Sequence, residues 1–222
     1  MSKANSVMSS PATNRQIDRL VADLVPVSRI RARTGLLIVA AAMLLAFMVT
    51  VPIFGVRPDV AALRPAEMVL LRSGALLLMG VAAAWAVIAS SSPGVGSRRD
   101  GWRWALAAAL LFPATSLALV LGGTPFPDGV LHASSAPWCL GISLASALTI
   151  GSMLTAWLRR GAVTELNRAG WLTGLAAGGL GTFVYNLGCA SNSVHYVALW
   201  YGLAVGISAV AGRLLVPRAL RW

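Results

Sequence analysis

Charged residues are scarce in this chain. Only 11% of its 222 residues are Asp, Glu, Lys or Arg, whereas 57% are hydrophobic, and the mean hydropathy is +0.75. A soluble domain usually carries about 25% charged residues. The shortage of charge therefore excludes an ordinary soluble domain and indicates a membrane protein.

Acidic residues are the rarer of the two signs, with 7 Asp and Glu against 18 Lys and Arg. The basic excess is not evidence for nucleic-acid binding, which we do not expect, because the basic residues lie in short clusters between long apolar runs. No acidic residue lies deep in an apolar run. A proton or cation transporter is expected to carry such a residue. The absence of such a residue argues against a small six-span transporter or channel, which is the alternative to the function inferred below.

Cysteine is nearly absent as well. The chain has two, Cys139 and Cys189, and no Cys-x-x-Cys motif, which argues against a disulfide-generating oxidoreductase. Ser143 and His195 resemble the serine-histidine dyad of rhomboid proteases, but Gly141-Ile142-Ser143-Leu144 lacks the final glycine of the Gly-x-Ser-Gly motif. We expect no enzymatic activity and no cofactor.

Six apolar segments are each long enough, at about twenty residues, to cross a bilayer. They lie near 35–55, 68–90, 103–122, 137–158, 170–189 and 195–216. The sequence therefore predicts an all-α, polytopic membrane protein, a bundle of six transmembrane helices within 35–216.

The basic residues also predict the orientation of these spans. Fifteen of the 18 Lys and Arg residues flank the spans on the side of the two termini, two (Arg57 and Arg64) lie on the other side, and Arg72 lies inside the second span. Cytoplasmic loops carry such an excess. We expect both termini, including a tail at 217–222, in the cytoplasm of a bacterium, with the spans in its inner membrane. The cysteines then lie near the periplasmic face.

Residues 1–34 form the predicted cytoplasmic head. Positions 1–13 are rich in Ser, Ala and Asn and are expected to be disordered, whereas 14–25 predict a short amphipathic helix. Its apolar stripe recurs at helical spacing and consists of Ile17, Leu20, Val21 and Leu24. A helix of about ten residues is unstable alone in water. This stripe either rests on the bilayer or the bundle, or fills a groove in a cytoplasmic partner.

Cys139 and Cys189 are predicted at the same end of neighbouring spans. Small residues recur every fourth position before and after the connecting loop: Cys139, Ser143, Ala147, Gly151 and Thr155 in the fourth span, and Gly170, Gly174, Gly178 and Thr182 in the fifth. Such stripes let helices approach closely in lipid. If the two stripes face each other, both thiols lie on one seam. The pair is then a candidate switch that can be oxidised, bridged or metallated; a passive scaffold with incidental cysteines is the competing interpretation.

Three further side chains need an interpretation. His132 and His195 lie on the same side as the cysteines, so a Cys2His2 metal site is possible, but the wide spacing makes them weak candidates. Arg72 lies about five residues inside the second span. We expect it to snorkel to the nearby surface, towards Glu67.

The chain resembles the NrsF-type membrane anti-sigma factors, six-span partners of bacterial extracytoplasmic-function sigma factors. The resemblance covers nearly the whole length after the first residues. It rests on the segment from Ile17 to Val27, Gly55-Val56-Arg57-Pro58-Asp59, Arg159-Arg160-Gly161-Ala162, the run from Cys189 to His195 leading into Trp200, Gly212-Arg213, and Leu220-Arg221-Trp222. The Trp-His pair of the family is Trp200-Tyr201 here, so no role of that histidine is carried over.

The resemblance implies a function for both ends of the bundle. The cytoplasmic side would sequester a sigma factor, and Cys139 and Cys189, at the corresponding positions, would respond to oxidants or thiol-reactive metals. We therefore expect oxidation or metallation to shift the fourth and fifth spans against each other and to release the sigma factor.

Overall fold

A computed structural model describes residues 18, 21–22, 31–91, 110, 114, 117–118, 121–122, 130, 135–161, 163, 165–191 and 193–220. The long apolar runs in these residues are helical, and no strand occurs among them, so the all-α class is confirmed. The helices are α1 (Ala32–Phe54), α2 (Pro58–Ala61), α3 (Glu67–Ser90), α4 (Ala136–Leu158), α5 (Leu166–Asn186) and α6 (Val194–Leu220). The predicted third span, 103–122, lies mostly outside the described residues.

Four of the described helices, α1, α3, α4 and α6, are long and apolar enough to cross a membrane. The fifth long helix, α5, has 21 residues but is not among them. It contains five glycines as well as Arg168 and Asn186, which lower its hydropathy. Its position in the bundle explains this composition.

Helix α5 is the central helix of the described bundle. Sixteen of its 21 residues are buried, and α3, α4 and α6 pack around it. Each neighbour meets α5 at small residues. A β-carbon at Gly179 would lie 2.9 Å from the Met79 methyl of α3, and one at Gly181 would lie 2.5 Å from the Ala147 nitrogen of α4. Glycine therefore lets the backbones touch on more than one face.

The regular glycine stripe of α5 faces α6, so the two small-residue stripes considered in the sequence analysis do not face each other. A β-carbon at Gly170 would lie 2.8 Å from the Gly212 carbonyl oxygen, and one at Gly178 would lie 3.0 Å from the Val205 Cα atom. The row that meets α4 instead runs through Ala177 and Gly181. Spacing every four residues identifies a helix face that packs closely, but it does not identify the partner helix.

The helices alternate in direction, so their ends form two distinct groups. One end, here called the thiol end, contains Phe54, Arg57, Cys139 and Cys189; the rings of Phe54 and Trp138 lie 5.9 Å apart there. The opposite end, here called the basic end, contains the start of α1, the α4–α5 loop and the end of α6. Its described Arg residues are Arg31, Arg33, Arg159, Arg160, Arg168, Arg213 and Arg218.

Candidate thiol site

Cys139 lies in the first turn of α4. Its backbone N–H donates to the Ser135 carbonyl oxygen at 2.9 Å, and its side chain is fully buried. The Ser135 hydroxyl lies 3.1 Å from the Tyr196 hydroxyl of α6. The start of α4 and its contact with α6 thus fix the position of this thiol.

Cys189 lies in the turn after α5, whereas the sequence placed it on the helix. The helix ends at Asn186, and the Gly188 N–H donates to the Tyr185 carbonyl oxygen at 3.0 Å. A β-carbon at Gly188 would lie 2.9 Å from the Gly55 carbonyl oxygen. The end of α1 therefore closes directly on this turn, and Cys189 is buried beneath it.

The structure places both thiols at the same end of the bundle. Both are buried and free. The Tyr196 hydroxyl lies beside the Cys139 thiol. The hydroxyls of Tyr185 and Tyr201 interact with Cys189. Two neighbouring reduced thiols can form a disulfide or bind a soft metal ion, provided that the reagent reaches them through the surrounding packing.

Arg57 connects the end of α1 to the Cys189 turn. Its backbone N–H donates to the Leu187 carbonyl oxygen at 3.1 Å, and its Nη1 donates to the Cys189 carbonyl oxygen at 2.8 Å. The rest of the guanidinium pairs with Asp59, whose two carboxylate oxygens lie 2.8 and 2.9 Å from Nε and Nη2. This two-pronged pairing fixes the plane of the Arg57 side chain.

The same pairing changes the ionisation of both partners. The Arg57 guanidinium lowers the pKa of Asp59 from 3.8 to about 2. The hydrogen bond to Asp59 raises the pKa of Arg57. Both groups are outside the long helices, and both stay charged wherever the pH lies well above 3.8.

Arg72 approaches the Cys189 turn from α3, and the prediction that it snorkels towards Glu67 is wrong. The side chain is buried, with 3% of its surface exposed. It donates from Nη1 to the Ser191 carbonyl oxygen at 2.5 Å and from Nη2 to the Cys189 carbonyl oxygen at 3.3 Å. The Cys189 and Ser191 carbonyl groups lie outside any helix and therefore need hydrogen-bond donors from elsewhere in the protein. These acceptors hold the guanidinium inside the bundle.

A buried polar network lies beside the thiols. The Asn186 side chain of α5 donates to the Ser73 hydroxyl of α3 at 2.6 Å and accepts from the Tyr201 hydroxyl of α6 at 3.2 Å. Asn186 and Tyr201 are fully buried. The network joins three helices at the depth of Cys189, so it fixes how the thiol end is assembled.

Comparison with known proteins places this sequence in a family. The family model described as negative regulator of sigma F matches residues 20–222. The chain belongs to the NrsF family. Its curated relatives include the anti-sigma-F factor NrsF of Caulobacter vibrioides (strain NA1000 / CB15N), which is 33% identical over 151 residues covering 65% of this chain and 68% of the relative. No solved structure matches the chain. NrsF membership makes the role regulatory and not enzymatic.

In this NrsF-family chain, the histidines and cysteines do not form a described metal centre. Among the described residues, no group of three His, Cys, Asp or Glu side chains is close enough to hold a metal ion. His195 is largely buried at the start of α6 but does not complete a three-ligand set with Cys139 and Cys189. His132 lies outside the described residues.

The predicted partner-binding stripe of the NrsF head is described at one position. Val21 is helical and 59% exposed, and Asp18 and Ala22 are helical too. Ile17, Leu20 and Leu24 lie outside the described residues, so the stripe as a whole stays a prediction.

Sequence reasoning missed the groups that surround the thiols. Arg57 was noted only for the side on which its charge lies and as part of a family-like segment, and Asn186 was not singled out. Polar residues within apolar runs were the available signal for Asn186, Tyr201 and Ser73, because such groups need hydrogen-bond partners inside a bilayer. Their partners lie on other helices, which spacing along one helix cannot reveal.

Proposed function

We propose that this chain is a membrane-bound anti-sigma factor that holds an extracytoplasmic-function sigma factor at the cytoplasmic face. It releases the sigma factor when Cys139 and Cys189 sense oxidative or heavy-metal stress at the opposite face. The observation that carries the anti-sigma role is the family match over residues 20–222, together with a relative named anti-sigma-F factor. The structure supports the sensing role by its single site containing both thiols.

The proposed topology has six spans in a bacterial inner membrane, with 103–122 as the third. The basic end faces the cytoplasm, because cytoplasmic segments carry the excess of Lys and Arg. The two described Arg residues nearest the thiols support this orientation. Arg57 forms an ion pair with Asp59, and Arg72 is buried inside the bundle, so neither adds an exposed, unneutralised positive charge to the periplasmic side.

The proposed sigma-binding surface is the apolar stripe of the head, formed by Ile17, Leu20, Val21 and Leu24. Val21, the one residue of the stripe that the structure describes, is exposed, as an apolar anchor for a partner has to be. Helices that bind in grooves use apolar anchors at this spacing. We expect Leu20→Asp combined with Leu24→Asp to abolish co-purification of the sigma factor, whereas Ala22→Asp, outside the stripe, leaves it unchanged.

The proposed signal is a change of state of the thiol pair. With hypochlorous acid, the two thiols lose two electrons and two protons and become one disulfide. The oxidant takes up both electrons and one of the protons and leaves as chloride and water, and the second proton is released to solvent. A soft metal ion would instead displace the thiol protons and bind both sulfur atoms.

Thiol trapping on membranes tests this proposal, together with a reporter transcribed by the sigma factor. Cells are treated with hypochlorite or cadmium, and free thiols are then labelled with a maleimide. We expect both cysteines to lose reactivity as the sigma factor dissociates and the reporter rises. Cys139→Ser and Cys189→Ser should each remove the response, whereas Ser152→Ala on the exposed face of α4 should not. Thiols that stay free during a full response would refute the switch but not the anti-sigma role.

The cavities of the bundle argue against transport as the function. A cavity of about 370 Å³ lies between α4, α5 and α6. Its described lining is mainly apolar and small, with Thr173, Ser208 and Arg159 among the polar exceptions, and it includes no acidic side chain. A lining of this kind suits lipid chains better than a hydrated substrate.

A further inference from the structure

We propose that Arg57 and Arg72 are positioning residues that hold the Cys189 turn, and that α1 carries the state of the thiols to the basic end. The inference rests on the proposed thiol switch and adds the route that the signal takes. It replaces the expected sliding of the fourth span against the fifth, for which the structure leaves no room.

The α4–α5 interface is locked at the backbone. A β-carbon at Gly181 would lie 2.5 Å from the Ala147 nitrogen and 2.8 Å from the Ser143 carbonyl oxygen. One turn away, a β-carbon at Gly151 would lie 3.3 Å from the Ala177 β-carbon. Sliding along this seam would drive side chains into backbone positions that only hydrogen can occupy. A thiol signal therefore needs a more loosely held element.

Helix α1 is that element. Only five of its 23 residues are buried, at Gly35, Val39, Ala42, Ala46 and Thr50. These positions form one row along the helix, and Leu36, Ile38 and Met43 beside it are only partly buried against the core. Because few contacts fix it, α1 can tilt or rotate about this row at lower cost than α5, which is buried on most of its surface.

The thiol end of α1 is attached directly to Cys189. Arg57 follows the helix by three residues and binds the turn through its backbone N–H and through its guanidinium, at 3.1 Å to the Leu187 oxygen and 2.8 Å to the Cys189 oxygen. Gly55 makes a close backbone approach to Gly188. A displacement of the Cys189 backbone therefore pulls on the end of α1.

Arg72 attaches the same Cys189 turn to α3, which is firmly packed in the bundle. It binds the Cys189 and Ser191 carbonyl oxygens from α3, a helix that packs on the central α5. The Cys189 carbonyl oxygen thus accepts from two guanidinium groups. Arg57 follows the loosely held α1, and Arg72 lies in the firmly held α3. When a disulfide or a metal draws the Cys189 side chain towards Cys139, this oxygen must move with its residue, and the two bonds cannot both keep their geometry.

The other end of α1 leads to the proposed sigma-binding surface. At 1.5 Å per residue, 23 residues span about 34 Å, which is roughly the thickness of the hydrocarbon core. The helix begins at Ala32, within the last three residues of the head, so it continues the head directly into the membrane. Near this end, a β-carbon at Gly35 would lie 2.9 Å from the Trp157 ring, so a tilt of α1 would change how the head leaves the bundle.

The test separates sensing from transmission. Arg57→Ala is compared with Arg64→Ala, which removes an exposed positive charge from the same connection between α1 and α3. Arg64 makes none of the contacts to the Cys189 turn, so it is the matched control. The full-length protein is kept in its membrane with the sigma factor present. Thiol trapping after hypochlorite treatment reports sensing, and the ratio of treated to untreated reporter signal reports transmission.

We expect Arg57→Ala to keep the modification of both thiols while its reporter ratio falls close to unity, and Arg64→Ala to behave as wild type. A wild-type reporter ratio in Arg57→Ala would overturn the inference. Thiols that no longer react in Arg57→Ala would overturn it too, because Arg57 would then act on the cysteines themselves. If wild type itself modifies its thiols without a reporter response, the proposed switch fails, whatever the variants do.

Asp59→Asn provides a second test in case Arg57→Ala does not insert into the membrane. It keeps the Arg57 side chain but removes the carboxylate that orients it. We expect normal amounts in the membrane, normal thiol modification and a reporter ratio between those of wild type and unity. A reporter ratio of Asp59→Asn equal to that of wild type would contradict the role of Arg57. A wild-type ratio in Arg57→Lys would contradict the need for a guanidinium that pairs with both carboxylate oxygens.

Discussion

Substituting Gly181 with alanine tests the tightest backbone contact between α4 and α5. The new β-carbon would lie 2.5 Å from the Ala147 nitrogen, 2.8 Å from the Ser143 carbonyl oxygen and 2.9 Å from the Ala147 Cα atom. All three are backbone atoms, so no side-chain rotation relieves the clash and the two helices must separate. Overpacking of this kind costs about 1–3 kcal/mol.

The matched control is Gly206→Ala on α6, where no atom lies within 4 Å of the added β-carbon. In a helix interior, alanine is favoured over glycine by roughly 0.5–1 kcal/mol. We therefore expect the control to be neutral or slightly stabilising, although it adds the same methyl group. For a protein of this length, 1 kcal/mol shifts the unfolding midpoint by roughly 2–4 °C.

The assay is thermal unfolding of both variants and wild type in the same detergent, followed by tryptophan fluorescence. The expected order of midpoints is Gly206→Ala at or above wild type, and Gly181→Ala below it by about 2–12 °C. A Gly181→Ala midpoint equal to that of the control would show that α4 and α5 are not in backbone contact. The argument that α4 and α5 cannot slide along their interface would then fail as well.

Two further predictions concern the thiol end. Tyr201→Phe leaves the buried Asn186 oxygen without its donor, and we expect a loss of about 0.6–1.7 kcal/mol, as for other hydrogen bonds between membrane helices, measured by the same unfolding assay. The stabilisation from ionised Asp59 is present above its ordinary pKa of 3.8 and is lost as the pH falls through about 2. An infrared titration, taken as wild type minus Asp59→Asn, should place its pKa near 2 in wild type and closer to 3.8 in Arg57→Ala; equal values in the two backgrounds would disprove the pairing.

Periodicity predicted where the apolar helices lie but not how they contact each other. The long runs are helical because a bilayer requires every backbone group to be paired within its own helix, and this requirement is local. The stripe of Gly170, Gly174 and Gly178 was correctly identified as a close-packing face. Its partner is α6, a choice that depends on how three helices share the surface of α5.

The candidate site shows the same limit. The sequence placed Cys139 and Cys189 at one end because helix length fixes their height, and the structure agrees. It could not place Arg72, because the acceptors of that side chain are backbone carbonyls more than a hundred residues away. Side-chain chemistry alone favoured the nearby Glu67 and the surface, since the carbonyls exposed at the end of α5 do not appear as a motif.

The composition of α5 also constrains how the chain enters a membrane. A segment rich in glycine and carrying Asn186 gains little when it meets lipid alone, and in the folded bundle it is surrounded by protein on most of its surface. Its closest contacts are with α4 and α6, the helices that precede and follow it during synthesis. In the topology proposed above, we therefore expect α5 to enter the bilayer only together with its two neighbours, so that the last three described helices form one unit of biogenesis. A nascent chain that stops before α6 would be expected to leave α5 outside the bilayer.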